Sequence, residues 1–259
     1  MNIDYISDLH LDFYVKVKGD DADYTERTRV FLAELLPKVC ADVLVVAGDL
    51  SHYNRQSFDA LKFFSEHYAQ VFFVFGNHDY YLVSNKQRRK YHERSAEREV
   101  ELIELVSALD RIQVLQKFEV AVYNGVRFAG ATNWYSLELD AAWQFYRDVS
   151  NDSVLIKKYM IAEQHQEEMA AYREMPSVDV LITHVPPIEI DSHRAYGNSY
   201  CYLNELETVK ASVCVFGHCH EQQVYEQDGV TFAINALGYP DQKLARQIRT
   251  VRVEKTERE

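Results

Sequence analysis

Asp8 and His10, Asp49, Asn77, His184, and His218 and His220 are seven oxygen or nitrogen donors in a chain of 259 residues, and each group closely follows a short apolar run. The local sequences are Ser7-Asp8-Leu9-His10, Gly48-Asp49, Gly76-Asn77-His78-Asp79, Thr183-His184 and Gly217-His218-Cys219-His220. Carboxylate, imidazole and amide groups are hard-to-borderline ligands, suited to Mn, Fe, Zn or Mg rather than to a metal selected by thiolates. Asp8 and His10 stand two residues apart, so on a regular strand they share a face and can chelate one ion; His218 and His220 repeat that spacing. Glycines just before Asp49, Asn77 and His218 allow the chain to turn sharply there. One histidine after a strand is more often structural, whereas seven donors after five successive runs predict a metal site.

The runs that must position these donors are Ile3 to Ile6, Val43 to Ala47, Val71 to Phe75, Val180 to Ile182 and Val213 to Phe216. Short runs rich in β-branched and aromatic residues predict strands buried on both faces. Between them, Ser57 to Tyr68 sets Phe58, Leu61 and Phe64 on one side of a helix, and Leu102, Leu105, Val106 and Leu109 recur at amphipathic spacing. Asn151-Asp152-Ser153 predicts the N-cap of a long helix carrying Leu155, Tyr159, Ala162, Met169 and Tyr172. Asn124-Gly125 and Asp228-Gly229 predict hairpin turns, and Gln247 to Val253 a last strand. The pattern is α/β, with sheets packed in the middle and helices outside. Ligands in open α/β sheets bind at the carboxyl ends of the strands, so the five clusters are expected to converge on one place.

Composition narrows the function classes. Hydrophobic residues make up 47% and charged residues 26%, which excludes wholesale disorder. No apolar run approaches the ~20 residues that span a bilayer. Asp8-Leu9-His10 lies too near the start for an apolar leader to precede it, so the expected location is the cytoplasm, with no membrane partner. Lys and Arg total 28 against 40 Asp and Glu, a net charge of -12, opposite to the balance of a duplex nucleic-acid binder. A bound ion reverses the local field, so a phosphate-bearing substrate stays compatible with that charge. Cys40, Cys201, Cys214 and Cys219 form no CxxC pair and read as reduced thiols, with strand alternation turning Cys219 away from its neighbours His218 and His220. No repeat or linker interrupts the chain, which reads as a single domain over residues 1–259.

Taken in order, the five clusters resemble the signature blocks of the calcineurin-like metallophosphoesterases, from residue 3 to about residue 240. Asn235-Ala236-Leu237-Gly238-Tyr239-Pro240 and Gly130-Ala131-Thr132-Asn133-Trp134 look like the small bacterial and phage members, mostly of unknown substrate. The resemblance implies a four-layer αββα sandwich of two mixed β-sheets flanked by helices. It further implies two divalent ions, manganese first, one held by Asp8, His10 and His220, the other by Asn77, His184 and His218, with Asp49 bridging. His78 would be the unligated catalytic histidine, a general acid or transition-state stabiliser, and Asp79 would orient its ring. Dinuclear centres of this kind hold their ions about 3.5–4 Å apart and attack phosphorus with a shared hydroxide. Hydrolysis of a small phosphoester follows, with a diester favoured over a monoester.

The surroundings bear on the substrate. His52 and Asn54 follow the bridging position, Tyr80 follows the catalytic block, Trp134 follows a strand end, and His193 and Asn198 lie on the loop after His184; these six are the candidate substrate contacts. Lys86, Arg88, Arg89, Lys90, Arg94 and Arg98, mixed with Glu93, Glu97 and Glu99, read as a solvated helix with pairs such as Arg89 to Glu93. Tyr80 to Leu109 and Ser136 to Met175 are candidates for a helical cover. Phosphoprotein phosphatases and symmetrical dinucleoside tetraphosphatases carry Asp-Arg-Gly soon after Gly-Asp, where this chain has Leu50-Ser51-His52-Tyr53-Asn54. A nuclease using the same centre and a non-catalytic scaffold of the same fold are the alternatives, and the scaffold should lack a donor.

Overall fold

The computed structural model describes residues 1–16 and 21–254. In chain order the strands are β1 (Asn2–Ile6), β2 (Val43–Ala47), β3 (Gln70–Val74), β4 (Ile112–Val114), β5 (Glu119–Tyr123), β6 (Val126–Ala131), β7 (Val178–Thr183), β8 (Ala211–Phe216), β9 (Gln222–Gln227), β10 (Val230–Asn235) and β11 (Arg249–Arg252). The helices are α1 (Leu11–Tyr14), α2 (Asp21–Ala33), α3 (Asn54–His67), α4 (Asn85–Lys90), α5 (Ser95–Val106), α6 (Asp140–Asp148), α7 (Asp152–Leu155), α8 (Ile161–Glu174) and α9 (Asp191–Tyr196).

Two mixed sheets form the centre. One runs in the order β11-β1-β2-β3-β4, the other β5-β6-β7-β8-β10-β9. β1 to β4 are mutually parallel with β11 antiparallel at the edge; β6, β7, β8 and β10 are parallel between antiparallel β5 and β9.

Side-chain alternation explains the uninterrupted apolar runs. Val43, Val45, Phe72 and Val74 face inward to meet Phe128, Val180, Ile182, Val213 and Val215 of the second sheet. Phe72 and Phe128 stack across that interface with centroids 4.2 Å apart. Leu44, Val46, Val71 and Phe73 face outward against Leu32, Leu61, Phe64, Leu102 and Val106 of α2, α3 and α5. On the far side, Leu181, Cys214, Phe216 and Ile234 pack with Tyr172 of α8. The result is the expected four layers, helices–sheet–sheet–helices.

Both turns take the predicted form, with positive φ at Asn124 and Gly125 (48° and 75°) and at Asp228 and Gly229 (51° and 77°). The long helix expected from Asn151 onward is instead two helices, α7 and α8. Lys158 adopts φ 47°, and the Lys157 N–H donates to Ser95 Oγ at 2.9 Å, so this stretch docks against the start of α5 rather than continuing the helix. Among the described residues no helix is long and apolar enough to cross a membrane.

The basic segment also departs from a single solvated helix. His92 and Glu93 have φ of 50° and 58° and separate α4 from α5, so Arg89 and Glu93 do not share a helical face. Arg98 is fully buried. Its guanidinium donates to Asn54 Oδ1 and to the carbonyls of Ser51, His78 and Tyr81, at 2.5–2.9 Å. One side chain of α5 thus ties down the loops that follow β2 and β3. Replacing it leaves those buried carbonyls without that donor. Arg98→Ala is expected to lower stability by about 3–5 kcal/mol in urea unfolding, and Arg98→Lys to recover only part of it, because an ammonium cannot span the same acceptors.

Candidate metal centre

β1, β2, β3, β7 and β8 deliver their carboxyl ends to one edge of the sandwich, and the loops there are stitched together by backbone hydrogen bonds. Asp8 N–H donates to Gly48 O and His10 N–H to Asp49 O, both at 3.0 Å, and Gly217 N–H to His184 O at 3.1 Å. Two glycines are required by proximity. A Cβ on Gly48, whose φ is +85°, would lie 2.5 Å from His184 Nδ1, and one on Gly76 would overlap Asp49 Oδ1.

Within this frame the seven donors come together. His10 Nε2 lies 3.0 Å from His220 Nε2 and 3.7 Å from Asp49 Oδ2. His220 Nε2 is 3.5 Å from Asp8 Oδ1. On the other side, His184 Nε2 is 3.4 Å from Asp49 Oδ2 and 3.0 Å from Asn77 Oδ1, and the His184 and His218 rings are 5.0 Å apart. Asp8, His10 and His220 form one group with ligand atoms within 4.8 Å of one another; Asp8, Asp49 and His184 form a second, and His10, Asp49 and His78 a third.

The expectation that Asp8 with His10, and His218 with His220, act as alternating strand residues does not hold. β1 ends at Ile6 and β8 at Phe216, so all four lie on loops. Asp8, His10, Asp49, His218 and His220 have left-handed backbone, φ 50°, 41°, 58°, 70° and 49°. Each such residue costs about 1–2 kcal/mol, and this loop geometry turns their side chains to a common point.

The donor set fits divalent ions. His184 Nδ1 contacts Ala47 O at 2.9 Å, His218 Nε2 contacts Cys201 O at 2.9 Å, and His220 Nδ1 contacts Gln242 Oε1 at 2.7 Å. A histidine that donates one ring N–H to a carbonyl presents its other nitrogen unprotonated, the arrangement ligating histidines need. Charge agrees. Burial alone would raise the Asp8 carboxyl, yet His220 and His184 hold it down to about 2. Burial works against a charged His184, yet Asp49 and Asp8 raise it to about 10. Two buried carboxylates here need positive charge, which protons or cations can supply.

His78 is half-buried beside this cluster, its backbone N–H donating to Asp49 Oδ1 at 2.8 Å. Its ring is oriented by His52, not by Asp79 as expected. His52 Nε2 is 3.0 Å from His78 Nδ1, and His52 Nδ1 is 2.8 Å from Asp12 Oδ2. Tyr81 stacks on the His78 ring at 4.2 Å. The Asp79 carboxylate faces away, accepting the backbone N–H groups of Gly76, Asp49 and Leu50. Burial pushes the His78 imidazole down to about 4 despite the pull of Asp49.

A cavity of about 460 Å³ opens over the cluster. Asp49, Asn77, His78, His218 and His220 form its floor, and Phe145, Val149, Asp152, Tyr202, Tyr239 and Gln242 line the rest. Of the six candidate substrate contacts, His193 and Asn198 line it, and His52 stands behind His78. The other three are corrected. Asn54 is buried against Arg98 and Glu101. Tyr80 points into the core and donates to Glu99 Oε1, and Trp134 is buried beside Tyr80 and Tyr159. Cys219 is no strand residue either; it lines the cavity, Sγ 3.2 Å from His193 Nε2, and burial raises its thiol well above the usual range. Sequence reasoning did not assign Asp12, Asp152 or Tyr239 to the site, and it noted Tyr81 only as an aromatic that follows the catalytic block beside Tyr80. Only Tyr81 carried a local signal, since in a helical turn the residue three after His78 can cover its ring.

Comparison with known proteins identifies the family. The family model for calcineurin-like phosphoesterases matches residues 1–222. The DNA double-strand break repair protein Mre11 of Archaeoglobus fulgidus is 24% identical over 250 residues, 93% of this chain, which spans about half (49%) of that protein. An uncharacterised protein of Acanthamoeba polyphaga mimivirus is 24% identical over 275 residues, covering 92% of this chain and 91% of that one. In fold, a phosphopantetheinyl hydrolase from Mycobacterium tuberculosis superimposes with a TM-score of 0.66 at 20% identity, over 96% of this chain and 95% of the other. With the family match running unbroken from the first strand past the last histidine pair, the chain belongs to the calcineurin-like phosphoesterases.

Proposed function

We propose that this protein is a cytoplasmic hydrolase of a small phosphodiester that works with two divalent metal ions. The observation that carries this reading is the division of labour within two rings: His184 and His220 each commit Nδ1 to a carbonyl oxygen and turn Nε2 to the donor cluster, while His218 commits Nε2 to Cys201 O with its ring 5.0 Å from that of His184. Asp8, His10 and His220 would hold one ion, Asn77, His184 and His218 the other, and Asp49 both. When bound, such ions supply positive charge for the phosphate oxygens and a water acidic enough to attack near neutral pH. Manganese is the first choice, with iron, zinc or magnesium compatible with the donors.

The cavity supports a diester. Among the described residues no Lys or Arg lines it, and Asp152 adds negative charge to its wall. A phosphodiester carries one negative charge, whereas a monoester carries about 1.5–2 at neutral pH. Phe145, Val149, Tyr202 and Tyr239 offer apolar and aromatic surface to the organic groups.

Burial favours the neutral form of the His78 ring, which would work together with that of His52. The neighbouring rings hold Asp12 down to about 2, so it is ionised beside His52. The Asp12 carboxylate faces His52 Nδ1 at 2.8 Å and orients that ring toward His78. With His52 donating to His78 Nδ1, His78 Nε2–H is free to donate to the departing oxygen in the cavity.

A second reading is cleavage of single-stranded nucleic acid at the same centre, favoured by the likeness to a DNA repair protein and opposed by the charge of -12. A phosphopantetheinyl diester belongs in the substrate panel because of the name of the similarly folded mycobacterial protein; at 20% identity that likeness speaks for fold alone.

Initial rates on a bis-aryl phosphate diester and the matching aryl monoester test the main reading. Chelator-stripped protein should be inactive and Mn²⁺ should restore diester cleavage. Asp49→Asn should abolish it, and His78→Ala should lower kcat by about 10²–10⁴ with metal content unchanged. A metal-free preparation that keeps its full rate would sink the proposal. A double-mutant cycle tests the relay: Asp12→Asn and His52→Ala should each slow the diester reaction less than His78→Ala, and neither should slow the His78→Ala variant further. Additive losses would mean that His52 acts independently of His78.

A further inference from the structure

Asp152 stands outside the seven donors and beyond any strand end, in the first turn of α7, and it is buried. Three side chains donate to its carboxylate. Asn77 Nδ2 and Tyr81 OH reach Oδ1 at 2.8 and 2.5 Å, and Tyr135 OH reaches Oδ2 at 2.5 Å. We infer that Asp152 is a positioning residue for the metal centre, fixing which end of the Asn77 amide faces the ions and coupling the segment that carries α6 and α7 to that choice. The inference rests on the two-ion reading above.

The argument is one of donors and acceptors. An asparagine amide is nearly symmetric in shape, and a flip exchanges an acceptor for two donors. A carboxylate can only accept, so the Nδ2 of Asn77 must face Asp152. Its Oδ1 then faces His184 Nε2, 3.0 Å away, on the side where a metal would lie. Reversed, the amide would turn N–H groups toward a cation. Tyr81 OH also lies 3.3 Å from Asn77 Nδ2, but a hydroxyl both donates and accepts and so does not choose between the two ends of the amide; Asp152, 75 positions from Asn77, does.

The same carboxylate ties the cavity wall to its floor. Phe145, Val149, Ser150 and Asn151, just before Asp152, line the cavity from α6 and the turn after it. Tyr81, bonded to Asp152, stacks on His78. A shift of this wall would therefore reach both Asn77 and the ring proposed to donate to the leaving group.

The test is calorimetric titration of the full chain, stripped by chelator, with Mn²⁺. Wild type should take up two ions, and Asn77→Ala identifies the step that depends on that amide. Asp152→Asn preserves shape but accepts or donates in either orientation; it should weaken the Asn77-dependent step about 10–100-fold and leave the other within about threefold. Tyr135→Phe removes a different donor to the same carboxylate, and should leave both steps within about threefold even if it lowers Tm. Equal weakening of both steps, no weakening in Asp152→Asn, or the same selective loss in Tyr135→Phe would each overturn the inference. Fewer than two ions on wild type would overturn the two-ion reading, and this inference with it.

Discussion

The buried carboxylate of Asp79 holds three backbone amides: Gly76 and Asp49 at 2.9 Å and Leu50 at 3.1 Å. That grip closes the loops after β2 and β3 against each other and fixes the left-handed turn at Asp49, from which the Asp49 side chain accepts the His78 amide. Asp8 repeats the device, with both oxygens 3.0 Å from the His218 amide nitrogen. Hydrogen bonds to a charged group contribute about 1.5–3 kcal/mol each, enough to offset the conformational cost of left-handed backbone at the donor positions. Without these carboxylates on the main chain, the imidazoles would have no common point to face.

The electrostatics follow from that closeness. Asp49 lies well below the ordinary carboxylate range even though burial opposes ionisation, because His184, His78 and His10 surround it. His184 is raised by the same carboxylate that its own ring lowers. A protein with a net charge of -12 thus gathers several of its ten histidines at one edge, where protons and divalent ions compete for the same positions. Acid should consequently weaken metal binding, since the ligating nitrogens must be free of protons.

The cavity wall is built differently. Its residues come from α6, the turn into α7, the loop around α9 and the chain after β10, and they meet the donor cluster through hydrogen bonds of Asp152 with Asn77, Cys201 O with His218 and Gln242 with His220, and through the rings of Tyr239 on His10 and Tyr202 on His218. Each bridges a wall element and a donor. Wall position and donor orientation are therefore linked through these contacts, so on the proposed reading a changed wall on a constant αββα frame would redirect a shared chemistry.

Much of this was legible from residue order. The five apolar runs correspond to β1, β2, β3, β7 and β8, because strands buried on both faces must be apolar throughout, and both hairpins follow from Asn-Gly and Asp-Gly, which tolerate the positive φ that such turns require. That these polar residues gather at one edge was readable because each follows within four residues of a strand end. Three things were not. Whether Asp8 and His10 converge by strand alternation or by left-handed loops depends on hydrogen bonds to Gly48 and Asp49, about 40 residues away. The partner of His78 is His52 backed by Asp12, rather than the adjacent Asp79, because Asp79 is consumed by backbone amides. Arg98, read as part of a solvated basic helix, is buried because unpaired carbonyls from two separate loops needed a donor. Sequence by itself determined the donor types and the strands that carry them, since those are local matters of polarity and period. Orientation, proton partners and the cavity wall were decided only by tertiary structure, since each depends on a polar group finding its counterpart from a distant part of the chain.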